Sequence, residues 1–186
     1  HDGGAAAFGD LFSLCSRIMQ QIASLPKPVI AEVQGIATAA GCQLAATCDM
    51  VVSSDHARFG VNGVNIGLFC STPIVALSRK IPQGAAFELA ATGEFLSATR
   101  AQTLGLANRV TSAEDLSAQT MTLAQTLAQK LPAALSIGKA AFAAQTGLPL
   151  DQAYAAAGSA MVDNLLNSHT SEGISAFLEK RRPNWA

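Results

Sequence analysis

The stretch 35-GIATAAGCQLAATCD-49 decides the reading of this chain. It lies between two apolar runs, 28-PVIAEVQ-34 and 50-MVVSS-54. The β-branched residues of 29–33 predict a buried strand, and 50–54 a second one. Gly35 marks a turn after the first, and the small residues of 38–47 predict a helix that begins near Ala40. A strand, a glycine turn, small residues and a helix start form a place where a ligand can approach the backbone closely. The N–H groups of a first helical turn have no partner within the helix, and the helix dipole adds partial positive charge there. Such a place suits an anion, either a phosphate or an oxyanion developing on a carbonyl. Small residues also serve tight helix–strand packing, and spacing alone does not separate the two uses. The nucleotide versions fail on spacing. G-I-A-T-A-A-G is not the G-x-G-x-x-G of a dinucleotide site, and Gly41 is followed by Cys42 rather than by the Lys-Ser/Thr of a P-loop.

Outward from that stretch, 9–25 carries Leu11, Leu14, Cys15, Ile18, Ile22 and Leu25 at helical spacing and is stopped by Pro26 and Pro28. Residues 57-ARFG-60 read as a short extended piece and 61–73 as a Gly/Asn-rich loop, with a helix over 73–81. Beyond residue 83 the chain is mostly helical, with helices expected over 83–92, 97–104, 113–131, 133–145, 149–166 and 170–181. One strand, 107–111, interrupts them. Asp151 and Ser171 are expected as N-caps. The order is strand–helix–strand and then helices, with no linker and no internal repeat.

Composition narrows the function. The chain has 186 residues, 49% apolar and 13% charged, with a net charge of −1. That is enough for a real core, and it is low enough in charge to predict burial against copies of itself. No basic stripe marks a nucleic-acid partner, and no apolar run reaches the roughly 18 residues of a membrane helix. The start, 1-HDGGAAAFGD-10, carries no signal-peptide pattern. Cys15, Cys42, Cys48 and Cys70 form no C-x-x-C pair, and His1, His56 and His169 are scattered, so no metal site is expected. The cysteines read as small buried thiols in a reducing cytosol.

The run 29-VIAEVQGIATAAGCQLAATCDMVVSSDHARFG-60 resembles the enoyl-CoA hydratase/isomerase family, the crotonase superfamily. That family's pattern is roughly P-x-I-A-x-[VI]-x-G-x-[AC]-x-G-[GA]-G-x-[EQ]-L-[AV]-x-x-C-D. The segments 104-LGLANRV-110 and 172-EGISAFLEKRRPNW-185 are similar to its later signatures, so the resemblance covers essentially the whole chain. Within the family, 66-IGLFCSTP-73 and 161-MVDNL-165 resemble the branch called enoyl-CoA hydratase domain-containing protein 3. The resemblance implies an α/β fold, the crotonase (ClpP-like) spiral of ββα units, over residues 1–110. It implies a helical trimerisation region over 111–186. It further implies that the first part of the fold precedes His1.

The implied chemistry is stabilisation of a thioester enolate by two backbone N–H groups, those of Ala40 and of His1, the latter in a loop with Asp2. Ala39, Gly41, Asn62, Asn65, Phe69 and Cys70 are the implied substrate-binding residues. Coenzyme A enters as part of the substrate and no separate cofactor is implied. Assembly into a homotrimer or a dimer of trimers follows from the same resemblance, and Lys180, Arg181 and Arg182 either lie near CoA or form a solvated helix end. Hydratases of the family place two glutamates around one water. Here those positions hold Gln43 and Gly63. A carboxamide orients water but takes up no proton near neutral pH, and glycine does neither. Among replacements, Asp49 reads as structural, with a base role as the alternative; Cys70, beside Ser71 on the loop, reads as a buried thiol, with a nucleophile activated by the helix start near Pro73 as the alternative; His1 reads as a backbone donor, with a proton shuttle as the alternative; and Glu32 lies in a strand whose neighbours read as buried. Asn62 and Asn65 can orient a ligand but cannot act as bases. The readings left open are an acyl-CoA enzyme of non-standard reaction and a non-catalytic acyl-CoA-binding homologue. The expected setting is the bacterial cytoplasm, with the mitochondrial matrix as the alternative.

Overall fold

The computed structural model describes residues 4–185. The chain divides into two compact units. One takes the residues up to Leu25 together with Val29–Ala124, and the other takes Pro26–Pro28 and the residues from Gln125 on.

The first unit is built from two stacked strand–strand–helix turns. After helix α1 (Gly4–Ser24), strand β1 (Ile30–Val33) leads to β2 (Ile36–Thr38) and helix α2 (Ala40–Thr47). Strand β3 (Met50–Ser54) then leads to β4 (Arg58–Gly60), a 3₁₀ turn over Asn62–Ile66 and helix α3 (Ser71–Lys80). The second turn lies on the first in parallel: Ile30 pairs with Met50 in one sheet and Ile36 with Arg58 in the other. The repetition is one of backbone, which is why it is not visible as a sequence repeat. Helix α4 (Gln83–Thr92), β5 (Phe95–Ser97), α5 (Ala98–Leu104) and β6 (Arg109–Thr111) complete the unit. β5 runs antiparallel to β4, and β6 runs parallel to β3. Asn108 sets that last register, because its side chain accepts from the Val51 N–H and its own N–H donates to the Val51 carbonyl, both at 2.8 Å. This is the spiral of ββα units that the family resemblance implies.

The core fills the space between the stacked turns and the helices that close them. Cys42, Val51, Phe59, Val61, Leu77, Ala90, Ala98, Ala101 and Leu106 are fully buried. Most are small, so the elements approach closely and packing depends on fit rather than bulk.

Several expectations change in detail. Strands β2 and β5 were not expected. Each has three residues, too few for a period of two to show. The helix expected over 9–25 starts at Gly4, and no residue of it is buried, so its apolar stripe (Leu11, Leu14, Ile18) is exposed. The N-caps are Pro149 for α8 (Leu150–Leu165) and Asn167 for α9 (Ser168–Leu178). Asn167 accepts the His169 N–H at 3.1 Å, which leaves Ser171 inside the helix, donating back to the Ser168 carbonyl. Asp151 lies in the first turn of α8, where a carboxylate complements the dipole.

The second unit contains the last turn of α6 (Leu116–Ala128), together with α7 (Pro132–Gln145), α8 and α9. Its tail is held by charge. Arg181 donates from Nη1 and Nη2 to the two oxygens of Glu172 at 2.6 and 2.9 Å, and from Nε to Glu179 at 2.5 Å. The Asn184 N–H adds a bond to Glu172 at 2.8 Å. Trp185 donates to the Gln129 carbonyl at 3.0 Å and covers Gly173, where an added Cβ would stand 2.9 Å from the indole. Arg181 is therefore engaged in this clasp rather than free for phosphate.

The clasp has a pH signature. The Arg181 guanidinium, followed by the Asn184 N–H, holds the Glu172 carboxyl down at about 2, against about 4.3 in an unfolded chain. The folded value is the lower one. The clasp therefore stabilises fully above the unfolded value and is lost as pH falls through the window from about 4 to about 2. The emission of Trp185, the one tryptophan of the sequence, is expected to stay constant from pH 7 to 5 and to change within that window. Glu172→Gln is expected to show the released emission already at pH 7.

Candidate active site

The site is organised by the junction between β2 and α2. Ala39 is the N-cap of α2, with φ 48 and ψ −119. That backbone conformation is hard for a residue with a Cβ and costs on the order of 1–3 kcal/mol. It is held by two bonds of 3.0 Å: the Ala39 N–H donates to the Gly60 carbonyl at the end of β4, and the Gln43 N–H donates to the Ala39 carbonyl. Ala39's ψ sets the direction of the next N–H, that of Ala40. The N–H groups of Ala40 and Gly41 precede the first intrahelical bond and have no acceptor inside the helix. Both residues are exposed, and a Cβ placed on Gly41 would meet nothing within 4 Å. A short helix thus presents two small residues and unengaged N–H groups to open space.

The loop after β4 lies against this junction. Thr38, the last residue of β2, donates from Oγ1 to Asn62 Oδ1 at 2.6 Å, tying the 3₁₀ turn to the strand that delivers α2. Gly63 is the tightest point. A Cβ there would press on the Leu68 carbonyl oxygen and stand 2.8 Å from Cys70 Sγ, while the Leu68 N–H donates to the Gly63 carbonyl at 3.0 Å. Cys70 caps α3 and is buried. Cys42, in the first turn of α2, is fully buried. Burial pushes its thiol up to about 12, a backbone bond at Gly60 opposes this, and the neighbouring Cys70 adds to it. Gln43 is 5% exposed.

An apolar lip flanks the loop. Ile66, Leu68 and Phe69 are exposed, and the Phe69 ring lies 6.3 Å from that of Phe87 on α4. Asn65 is also exposed and donates a long bond of 3.4 Å to the Gly93 carbonyl. Gly93 has φ +67, and a Cβ there would stand 2.6 Å from Asn65 Oδ1, so glycine is needed twice over.

Ala39, Ala40, Gly41, Cys42 and Gln43 therefore share one helix start, and Asn62, Gly63, Phe69 and Cys70 belong to the loop beside it. His1 and Asp2 lie outside the described residues. Asp49 is at the opposite end of α2, where its carboxylate accepts the Val29 N–H at 2.7 Å. Beside it Lys80 donates to the Cys48 and Asp49 carbonyls, and burial lowers the pKa of this lysine, partly offset by Asp49. Glu32 accepts from Ser117 at 2.8 Å. These carboxylates serve the fold. Sequence reasoning missed Thr38, Phe87 and the closeness of Cys42 to Cys70. None carries a motif, and each depends on a contact between residues far apart in the chain.

Comparison with known proteins fits this arrangement. Residues 10–186 match the enoyl-CoA hydratase/isomerase family. A mitochondrial enoyl-CoA hydratase domain-containing protein 3 from Mus musculus is 46% identical over 177 residues, which is 95% of this chain and 59% of that protein. A carnitinyl-CoA dehydratase from Proteus mirabilis is 32% identical over 189 residues, covering 99% of this chain and 69% of the relative. Among solved structures, an enoyl-CoA hydratase from Mycobacterium smegmatis superposes with a TM-score of 0.95 at 49% identity, over 98% of this chain and 71% of its own. The human enoyl coenzyme A hydratase domain-containing protein 3 gives 0.97 at 45% identity, over 100% and 73%. The chain belongs to the enoyl-CoA hydratase/isomerase family, and its fold is the crotonase fold. Its similarity to enoyl-CoA hydratase domain-containing protein 3 recurs in both comparisons. It spans about three fifths of the length of those curated relatives, 59% in the mouse protein.

Two substitutions test the geometry. Ala39→Gly relieves the positive φ and is expected to stabilise the fold by about 1 kcal/mol, read as a higher urea midpoint. Gly63→Ala forces a methyl against Leu68 and Cys70 and is expected to destabilise by about 1–3 kcal/mol. Gly63→Glu, which would restore a carboxylate at that position, carries the same penalty.

Proposed function

We propose that this chain binds an acyl-CoA thioester with the carbonyl oxygen at the start of α2. There the Ala40 N–H, with that of His1 as second donor, stabilises the oxyanion of an enolate. The observation that carries this reading is the start of α2, where Ala40 and Gly41 are exposed and a Cβ on Gly41 would meet nothing within 4 Å. Ala39, Gly41, Asn62, Asn65, Phe69 and Cys70 line the substrate. Coenzyme A is part of that substrate, and no other cofactor is used. Family membership and a relative named for a carnitinyl-CoA thioester support the substrate class. Removing one such donor typically costs roughly 10²–10³ in rate.

The two positions that would supply acid and base hold Gln43 and Gly63. Hydration through paired carboxylates is therefore not the reaction these residues favour, and loss of such general acid–base help costs about 10²–10⁴ in rate. A second reading, acyl-CoA binding without turnover, draws on the same two residues. Assembly as a homotrimer or dimer of trimers would cover apolar side chains that the C-terminal helices expose, among them Phe142, Leu150, Leu166 and Phe177. Nucleic acid and membrane are not partners in this reading. The site suits a compartment that holds CoA thioesters, either the bacterial cytosol or the mitochondrial matrix, and the vertebrate relatives are named as mitochondrial.

The test uses crotonyl-CoA and the full-length protein. Binding is expected to shift the conjugated-enoyl absorbance to longer wavelength, as a polarised carbonyl does, with little loss of that absorbance over time. Ala40→Leu is expected to weaken binding about tenfold or more, equivalent to about 1.4 kcal/mol. Rapid loss of absorbance, abolished by Ala40→Leu, would reveal a base among other residues. Binding without any turnover would leave the second reading, and an absence of binding would overturn both.

A further inference from the structure

Strands β2 and β4 part beyond Thr38 and Gly60, the last paired residues of their parallel register. From there one segment turns through Ala39 into α2, and the other passes through the fully buried Val61 into the 3₁₀ turn that Asn62 begins. A side-chain bond closes the gap between them. Thr38 Oγ1 donates to Asn62 Oδ1 at 2.6 Å, and both residues are half-buried. That is a short, well-formed O–H···O distance, and it decides which end of the carboxamide faces Thr38. A carboxamide carries an acceptor oxygen at one end and two N–H donors at the other. With the oxygen held against Thr38, the Nδ2 donors are turned away from it. Thr38 precedes Ala39 in the chain, so the amide is held beside the start of α2.

We propose that Thr38 is a positioning residue for acyl-CoA binding: it orients Asn62 so that Nδ2, and not Oδ1, meets the bound thioester. The inference rests on the thioester-binding reading above, in which Asn62 lines the substrate. The carbonyl oxygen and the sulfur of a thioester accept hydrogen bonds and donate none, so the donor end of the carboxamide is the one that serves them. An asparagine that nothing holds presents either end, and the wrong end sets an oxygen against an oxygen. Like the Ala40 N–H, Nδ2 is a neutral donor, so this orientation adds to the stabilisation of negative charge and moves no proton. Thr38 acts through Asn62. Valine has nearly the shape of threonine without its donor, so Thr38→Val removes the tie and leaves the packing close to what it was.

The experiment titrates the full-length protein with crotonyl-CoA and reads Kd from the shift of the enoyl absorbance, as a double-mutant cycle at residues 38 and 62. Circular dichroism checks each variant for retained fold. Thr38→Val is expected to weaken binding about two- to tenfold, the range of one hydrogen bond, and Thr38→Ser, which keeps the hydroxyl, is expected to restore it. In the Asn62→Leu background Thr38→Val is expected to cost nothing further. Asn62→Asp keeps an oxygen for Thr38 and replaces the donor end with a second oxygen, so it is expected to bind more weakly than Asn62→Leu. Asn62→Asp decides by itself if Thr38→Val loses the fold. Three outcomes overturn the proposal: Thr38→Val binding as the wild type does, losses from Thr38→Val and Asn62→Leu that multiply, or Asn62→Asp binding as well as the wild type. In all three the wild-type protein still shows the shift and the thioester-binding reading stands, whereas no shift in the wild type overturns both.

Discussion

The site depends on one hydrogen bond between the two stacked turns of the spiral, from the Ala39 N–H to the Gly60 carbonyl at 3.0 Å. It continues the parallel ladder of β2 on β4 by one residue beyond the strand. Because it fixes the nitrogen of Ala39, it holds that residue in a conformation its methyl group opposes, and ψ of Ala39 then fixes the first N–H of α2. Without the second turn beneath it, β2 would have no partner, and the helix start would have no defined direction. The oxyanion-type geometry is thus a property of sheet register as much as of the helix.

The same register brings the loop after β4 to the helix. Residue 43 follows the end of β2 by five places and residue 63 follows the end of its partner β4 by three. In a protein of this family with carboxylates at both, they face a shared reactant. Here the first is an amide and the second has no room for a side chain, and the nearest reactive atom is the sulfur of Cys70. In the proposed reading, the helix start stabilises negative charge and neither residue 43 nor residue 63 moves protons.

How much of this was legible in the sequence follows from the length and locality of each signal. Helices α2 and α4 were placed within a residue, because Gly35, Pro82 and Gly93 punctuate them. Strands β1 and β3 were read from β-branched runs. Strands β2 and β5 were not, since three residues carry no usable period and neither forms a run apart from the small-residue or helical pattern beside it. At the site, Ala40, Gln43 and Gly63 were found through a motif, and the motif could assign roles without showing space. The contact of Gly63 with Cys70 and the bond from Thr38 to Asn62 join residues that no local pattern connects. The basic triplet at the C-terminus showed the limit in reverse. Lys180, Arg181 and Arg182 look alike as letters, yet the bidentate geometry of Arg181 on Glu172 assigns that residue to the tail clasp.

The crowding around Gly63 also bears on how this chain could change over generations. A single codon change that put a carboxylate at residue 63 would first have to displace the Leu68 carbonyl and the sulfur of Cys70. The loop would need to be rebuilt before the new group could serve any reaction. The intermediate would have lost the packing of the present loop without yet gaining a working acid or base. A carboxylate at residue 63 is therefore reached only through several concerted changes in the loop, not through one.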